Sequence, residues 1–332
     1  MRDTASWYRT FGEVEARGQS AIYEEWALGV SEDDDVLALI DELPLQKRQP
    51  NLVFACSRLL GAPEGPYPGF RDWLVRHWSA VAAEAAQRST QTNEARRCAS
   101  LLPALAMIPG PLALLEVGAS AGLCLYPDRY SYRYDGGERL HPQDGPSTVL
   151  LECATNGLVP VPARLPEIAW RAGLDLAPLD VCEPADTQWL ETLVWPEQQE
   201  RRDRLRAAIA IARLDPPRLV RGDAIDALPA LAAEAPAGAT LVVVASAVLV
   251  YLAAAERMRF VETVRGLGAD WVSLEGVGGL PTVQAAIPPH SGAPGRFVLA
   301  LNERPLAFTG PHGQSLDWFD AEPSRIGAVP PP

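Results

Sequence analysis

The sequence predicts an α/β protein, with a wound sheet that follows an all-helical segment and closes in an antiparallel hairpin. Three observations carry this reading. Residues 1–108 show helical spacing and no credible strand. From Leu112 onward, apolar runs of strand length alternate with helical stretches, the pattern of a wound sheet. Near the end, Phe297–Leu301 and Pro305–Phe308 flank Asn302-Glu303-Arg304 and read as two strands of a hairpin.

Taken in order, Ala16 to Leu28 carries apolar residues at helical spacing. Ser31-Glu32-Asp33-Asp34-Asp35 then offers an N-cap and an acidic first turn to Val36–Leu43. Pro44 and Pro50 break the chain, and Asn51–Leu60 resumes a helix. Pro63–Pro68 is a turn-rich loop, Phe70–Ala86 an amphipathic helix, and Thr92–Met107 the last helix before Pro109-Gly110-Pro111 stops it. Leu112–Val117 is the first strand, Tyr130–Tyr134 a period-two strand ending at Asp135-Gly136, and Ser147–Cys153 a further short strand. Residues 155–186 are Pro-rich and read as irregular, part of an insertion at about 155–196 that forms a lid or substrate element. Gln188–Ala212 reads as helical despite Pro196. Arg218–Val220, Leu241–Ala245 and Trp271–Leu274 are strands, with a helix over Ala253–Leu267. The organisation expected is a helical cap domain over 1–108, an α/β domain over 109–320, and a Pro-rich tail over 321–332.

Composition narrows the function classes. With 48% hydrophobic residues the chain has ample core material, and its longest apolar stretch, Leu241–Ala255, falls short of the ~20 residues a bilayer span needs. The first ten residues hold Arg2, Asp3 and Arg9 and no apolar core, so no signal peptide is read, and the expected location is cytoplasmic. A net charge of −13 argues against nucleic-acid binding. Five widely spaced cysteines and four histidines without metal-ligand spacing suggest free thiols and no metal site. Lys47 is the sole lysine, and no phosphate-loop lysine motif exists.

The chemistry concentrates where the first strand ends. Glu116 is followed by Gly118-Ala119-Ser120-Ala121-Gly122. Glycine lets a backbone approach a ligand closely and tolerates positive φ. The same five residues also spell G-x-S-x-G, so a serine esterase using Ser120, Asp223 and His290 or His312 is an alternative. Against it stand the absence of strands upstream and of a His-Gly-Gly oxyanion loop, and Glu116 would then have no role. A non-catalytic ligand-binding module on the same fold is the third reading. Glu275, ending a later strand, is a candidate proton acceptor or a solvated strand-end acid.

Glu116-x-Gly118-x-Ser120-x-Gly122 resembles the first motif of class I S-adenosylmethionine-dependent methyltransferases, with Ser120 at an often-glycine position. The resemblance implies a Rossmann-like wound sheet whose turn (Glu116, Gly118, Ala119, Ser120, Gly122) cradles the methionine part of S-adenosylmethionine. It implies that Asp135 holds the ribose, against a simple Asp-Gly turn, and that Asp223 with Ala224 meets the adenine, against an N-cap. Ser246 then lines the cofactor site, and Tyr251 with Glu275 positions a small-molecule acceptor. Asn93, Glu94 and Arg97 open the last helix before the first strand and are candidates to touch substrate, although capping by Thr92 explains part of that cluster. In combination, Gln91–Glu94, Leu115–Leu123, Arg171-x-Gly173-Leu174-Asp175, Trp189-Leu190, Trp195-Pro196, Gly222-Asp223-Ala224 and Val248-Leu249-x-Tyr251 resemble a bacterial family known as domain of unknown function 2332.

Overall fold

The helical beginning of the chain is set by side chains that satisfy the first backbone donors of each helix. Asp3, Ser20 and Asp33 accept from the amides of Ser6, Tyr23 and Val36. Pro50 and Pro184 occupy first helical positions, where the missing N–H removes nothing. The computed structural model describes residues 3–288 and 296–319, so His290 and the tail expected over 321–332 lie outside the described residues. The chain divides into two compact units, Met1–Asn93 with Asp180–Ile209, and Glu94–Leu179 with Ala210–Pro332.

The first unit is built on aromatic packing. Phe54 meets Tyr8, Tyr23, Trp26 and Phe70 at ring distances of 5.7, 5.1, 5.5 and 5.6 Å, and Trp26 stacks on Phe70 at 3.8 Å. Residues from beyond the sheet's first half complete it. Trp195 packs on Phe11 and Tyr23, Arg58 donates to the Thr192 and Val194 carbonyls, and Glu197 accepts from Ser20 and the Ile22 amide. The continuous helix expected over Gln188–Ala212 is two, Pro184–Leu193 and Gln199–Leu214, because Pro196 cannot donate within a helix and clashes with the preceding turn.

The second unit is a mixed α/β body on a large, mostly parallel sheet. Its strands are β1 (Leu112–Val117), β2 (Ser131–Tyr134), β3 (Arg139–Leu140), β4 (Leu150–Asn156), β5 (Ile168–Asp175) and β6 (Arg218–Arg221). They continue with β7 (Thr240–Ser246), β8 (Asp270–Gly276), β9 (Phe297–Leu301), β10 (Arg304–Thr309) and β11 (Ser315–Trp318). The order across the sheet is β3-β2-β4-β11-β10-β9-β8-β7-β1-β5-β6. Strands β6, β5, β1, β7 and β8 run parallel, and β9 joins β8 antiparallel. The β9–β10 hairpin expected from sequence is present, turning through Asn302 and Glu303, both at positive φ.

Two departures from the sequence reading matter. Residues 155–186 are not irregular throughout, since they contain β5, the strand beside β1. Arg171 in mid-strand and Gly173 after it break the apolar run that would have announced it. Arg171 is accommodated by a bidentate pair with Asp128 (2.8 and 2.7 Å) and by stacking over the Tyr126 ring at 4.9 Å. The helix expected over Thr92–Met107 is shorter, Arg97–Leu105, with Arg96 rather than Thr92 at the cap position.

Both faces of the parallel strands are covered. Leu115, Val117, Leu174, Val243, Ala245 and Trp271 face a core shared with Leu228, Phe260 and Val264. The opposite face carries Glu116, and the Arg97–Leu105 helix, every residue of which is buried, packs against β4, β8 and β9.

Candidate functional site

Register decides which side chains meet at the carboxyl edge of the sheet. Glu116 lies opposite Gly173 of β5 and Val244 of β7, and Val117 opposite Leu174 and Ala245. Paired residues share a face and alternate residues return to it. Glu116, Asp175 and Ser246 therefore stand on one face, at the ends of three adjacent strands. The chain places β5 and β6 on one side of β1, then crosses to β7 and β8 on the other. Ligands of open parallel sheets bind outside the carboxyl ends of strands at such a reversal. Here it falls between Glu116 and Ser246.

Both of those residues are buried with a polar atom unanswered. Glu116 is 5% exposed and Ser246 is 6% exposed, and neither Glu116 Oε2 nor Ser246 Oγ has a hydrogen-bond partner among the described residues. Buried polar groups are nearly always paired, so these two atoms on one face of adjacent strands make this edge the candidate site. Burial holds the Glu116 carboxyl well above the usual carboxylate range, and the neighbouring Cys124 and Asp175 push the same way against Arg97. Arg97 itself is buried, donating to the carbonyls of Pro311 (3.0 Å) and Ser246 (3.2 Å).

The turn after β1 is held from β5. Asp175 accepts from the Ser120 amide (2.8 Å) and the Ala177 amide (2.8 Å), and the Ser120 carbonyl accepts from Leu179. Ser120 has φ 53, a left-handed backbone that is uncommon outside glycine. Gly118 has φ 72, and a Cβ there would lie 2.5 Å from Val248 Cγ2. At Gly122 a Cβ would come within 2.9 Å of Pro217. Both glycines are thus required by protein packing in this structure, so the glycine pattern alone does not indicate a ligand. Gly173 likewise has no room, with Ala119 Cβ 2.5 Å from where its own would stand.

Glu275, at the end of β8, is buried on the opposite face and lines a small cavity with Ser273, Gln284 and Val298. Its Oε1 accepts from the amides of Val248 (3.0 Å) and Leu249 (3.1 Å). Burial pushes its pKa up to about 7, while those two amides, Arg97 and Arg257 pull it down.

The remaining sequence candidates separate. Asp135 is not brought to the Glu116 turn. Six strands lie between β2 and β1, Asp135 and Gly136 form the left-handed hairpin turn into β3, and both carboxylate oxygens bond Thr155. The acid that ends the strand beside β1 is Asp175. Asp223 follows β6 but is exposed and caps its own turn through the amides of Ile225 and Asp226, and Ala224 packs on the adjoining core. Tyr251 is 78% exposed. Glu94 is buried and accepts from the Arg96 amide, whereas Asn93 falls in the helical unit.

A family model described as "Uncharacterized protein conserved in bacteria (DUF2332)" matches residues 5–318. No curated protein and no solved structure matches the chain.

Proposed function

The chain belongs to this bacterial family of uncharacterised proteins, and we propose that it is an S-adenosylmethionine-dependent methyltransferase acting on a small molecule. The observation that carries the reading is the pair of unanswered buried atoms, Glu116 Oε2 and Ser246 Oγ, at the strand reversal. The order β6-β5-β1-β7-β8 supports reading this part of the sheet as Rossmann-like, and with it a nucleoside-bearing ligand at this edge.

These residues fit the cofactor's chemistry. Glu116 and Ser246 supply hydrogen-bonding atoms that the protein does not use, and Asp175 has lone pairs left for ribose hydroxyls. Asp223, with Ala224, is proposed on the adenine side. When bound, the cofactor supplies a methyl group on a positively charged sulfur. The protein's part is alignment and exclusion of water, to which the buried floor around Glu116, Ser246 and Arg97 contributes. Glu275 is the candidate proton acceptor, poised by burial near neutral pH. Five free cysteines suit a reducing compartment, and a cytoplasmic location belongs to the same proposal.

Calorimetry with S-adenosylhomocysteine tests this directly. Binding that weakens at least tenfold in Asp175→Ala but not in Asp135→Ala supports it, and no binding to the native protein overturns it. One observation favours the esterase instead, the left-handed backbone of Ser120 within G-x-S-x-G. That reading requires covalent labelling by a fluorophosphonate probe, lost in Ser120→Ala.

A further inference from the structure

The segment after β7 joins several unusual features. Ser246 ends the strand with its buried hydroxyl unanswered, and Ala247 has φ 55, a left-handed conformation that costs an L-residue about 1–2 kcal/mol. Val248 then fills the space beside Gly118, where any side chain on residue 118 would collide with it. Leu249–Tyr251 forms a single helical turn that leaves Val250 and Tyr251 exposed. Only one group outside the segment reaches in to hold the Val248 and Leu249 amides among the described bonds, the Glu275 carboxylate. Backbone strain concentrated at a ligand-facing turn is a signature of elements with two arrangements.

We propose that Ser246–Tyr251 is a gate over the Gly118 turn, held closed by the packing of Val248 against it, and that the Glu275 carboxylate is the positioning residue that latches it. The inference deepens the cofactor reading and rests on it for the identity of the ligand, but not for the existence of the latch. Opening withdraws Val248 from Gly118 and clears the space beside that turn. Two cations act on Glu275 through their charge, Arg97 at the start of the Arg97–Leu105 helix and Arg257 on the Ala254–Leu267 helix, and both favour its ionised form. Charged acceptors bind amides roughly twice as strongly as neutral ones, so protonation loosens the latch. Because Glu275 titrates near 7, the gate opens more readily as pH falls through neutrality.

Amide hydrogen exchange on the full chain reads the latch without any ligand. After correction for intrinsic rates, Val248 and Leu249 are expected to lose about fivefold in protection between pH 8 and pH 6. In Glu275→Gln, which keeps an acceptor oxygen but cannot ionise, the step is expected to vanish. A step that survives in Glu275→Gln, or native protection that does not change with pH, overturns the latch. A second arm titrates S-adenosylhomocysteine into Val248→Ala, expected to bind at least threefold more tightly than the native protein because less must be displaced. Equal affinity for the two proteins overturns the gate. If neither protein binds but the exchange step appears, the latch stands and the cofactor reading is what fails.

Discussion

Ser246 and Glu275 are single residues whose environments make opposite demands, and each yields a test. A buried hydroxyl without a partner adds nothing to folding, so Ser246→Ala is expected to leave unfolding free energy within about 0.5 kcal/mol of native. On the proposed cofactor reading, the same change should weaken S-adenosylhomocysteine binding several-fold in calorimetry. Glu275 carries a raised pKa, about 7 against an ordinary 4.5. Native protein keeps that proton at pH values where the unfolded chain has released it, so the contribution to stability is complete below about 4.5 and lost as pH rises through about 7. The loss at pH 8 approaches about 3 kcal/mol. Urea unfolding should therefore show the native protein gaining stability from pH 8 to pH 5 relative to Glu275→Gln. Glu116, shifted in the same direction by burial, adds to that slope.

Among elements, β5 explains most of what was and was not legible. Periodicity identified β1, β2, β7, β8 and the β9–β10 hairpin, because each is an apolar or alternating run bounded by turn residues. It did not identify β5, because a strand holding Arg171 and Gly173 inside a Pro-rich stretch satisfies no simple pattern. Only the fold reveals that Asp128 neutralises that arginine and that Ala119 needs the glycine. Asp175, which closes that strand, went unread with it, and it is proposed in place of Asp135, which the sequence favours because Asp-Gly ends an alternating run. Two substitutions check the role of β5. Asp128→Asn leaves the Arg171 charge buried and poorly compensated, and should cost about 3 kcal/mol of stability by urea unfolding. Gly173→Ala forces a methyl onto Ala119 and Leu219, and should cost about 2 kcal/mol by the same measurement.

At the scale of the whole molecule, the path of the chain through the sheet creates the site. After β1 the polypeptide makes the excursion of β2–β4, returns beside β1 as β5, and later crosses to lay β7 on the other flank. That reversal falls between β1 and β7, which stay paired up to Val117 and Ala245, with Glu116 and Ser246 on one face. The sequence revealed the turn and its acid but could not reveal strand order, which depends on pairings between residues more than a hundred positions apart. Among the described residues no helix is long and apolar enough to cross a membrane. Titration of S-adenosylhomocysteine into the native protein, Ser246→Ala and Asp135→Ala checks the proposed cofactor site. Saturable binding that weakens in Ser246→Ala and is unchanged in Asp135→Ala is expected. Absence of binding to the native protein, or loss confined to Asp135→Ala, would contradict it.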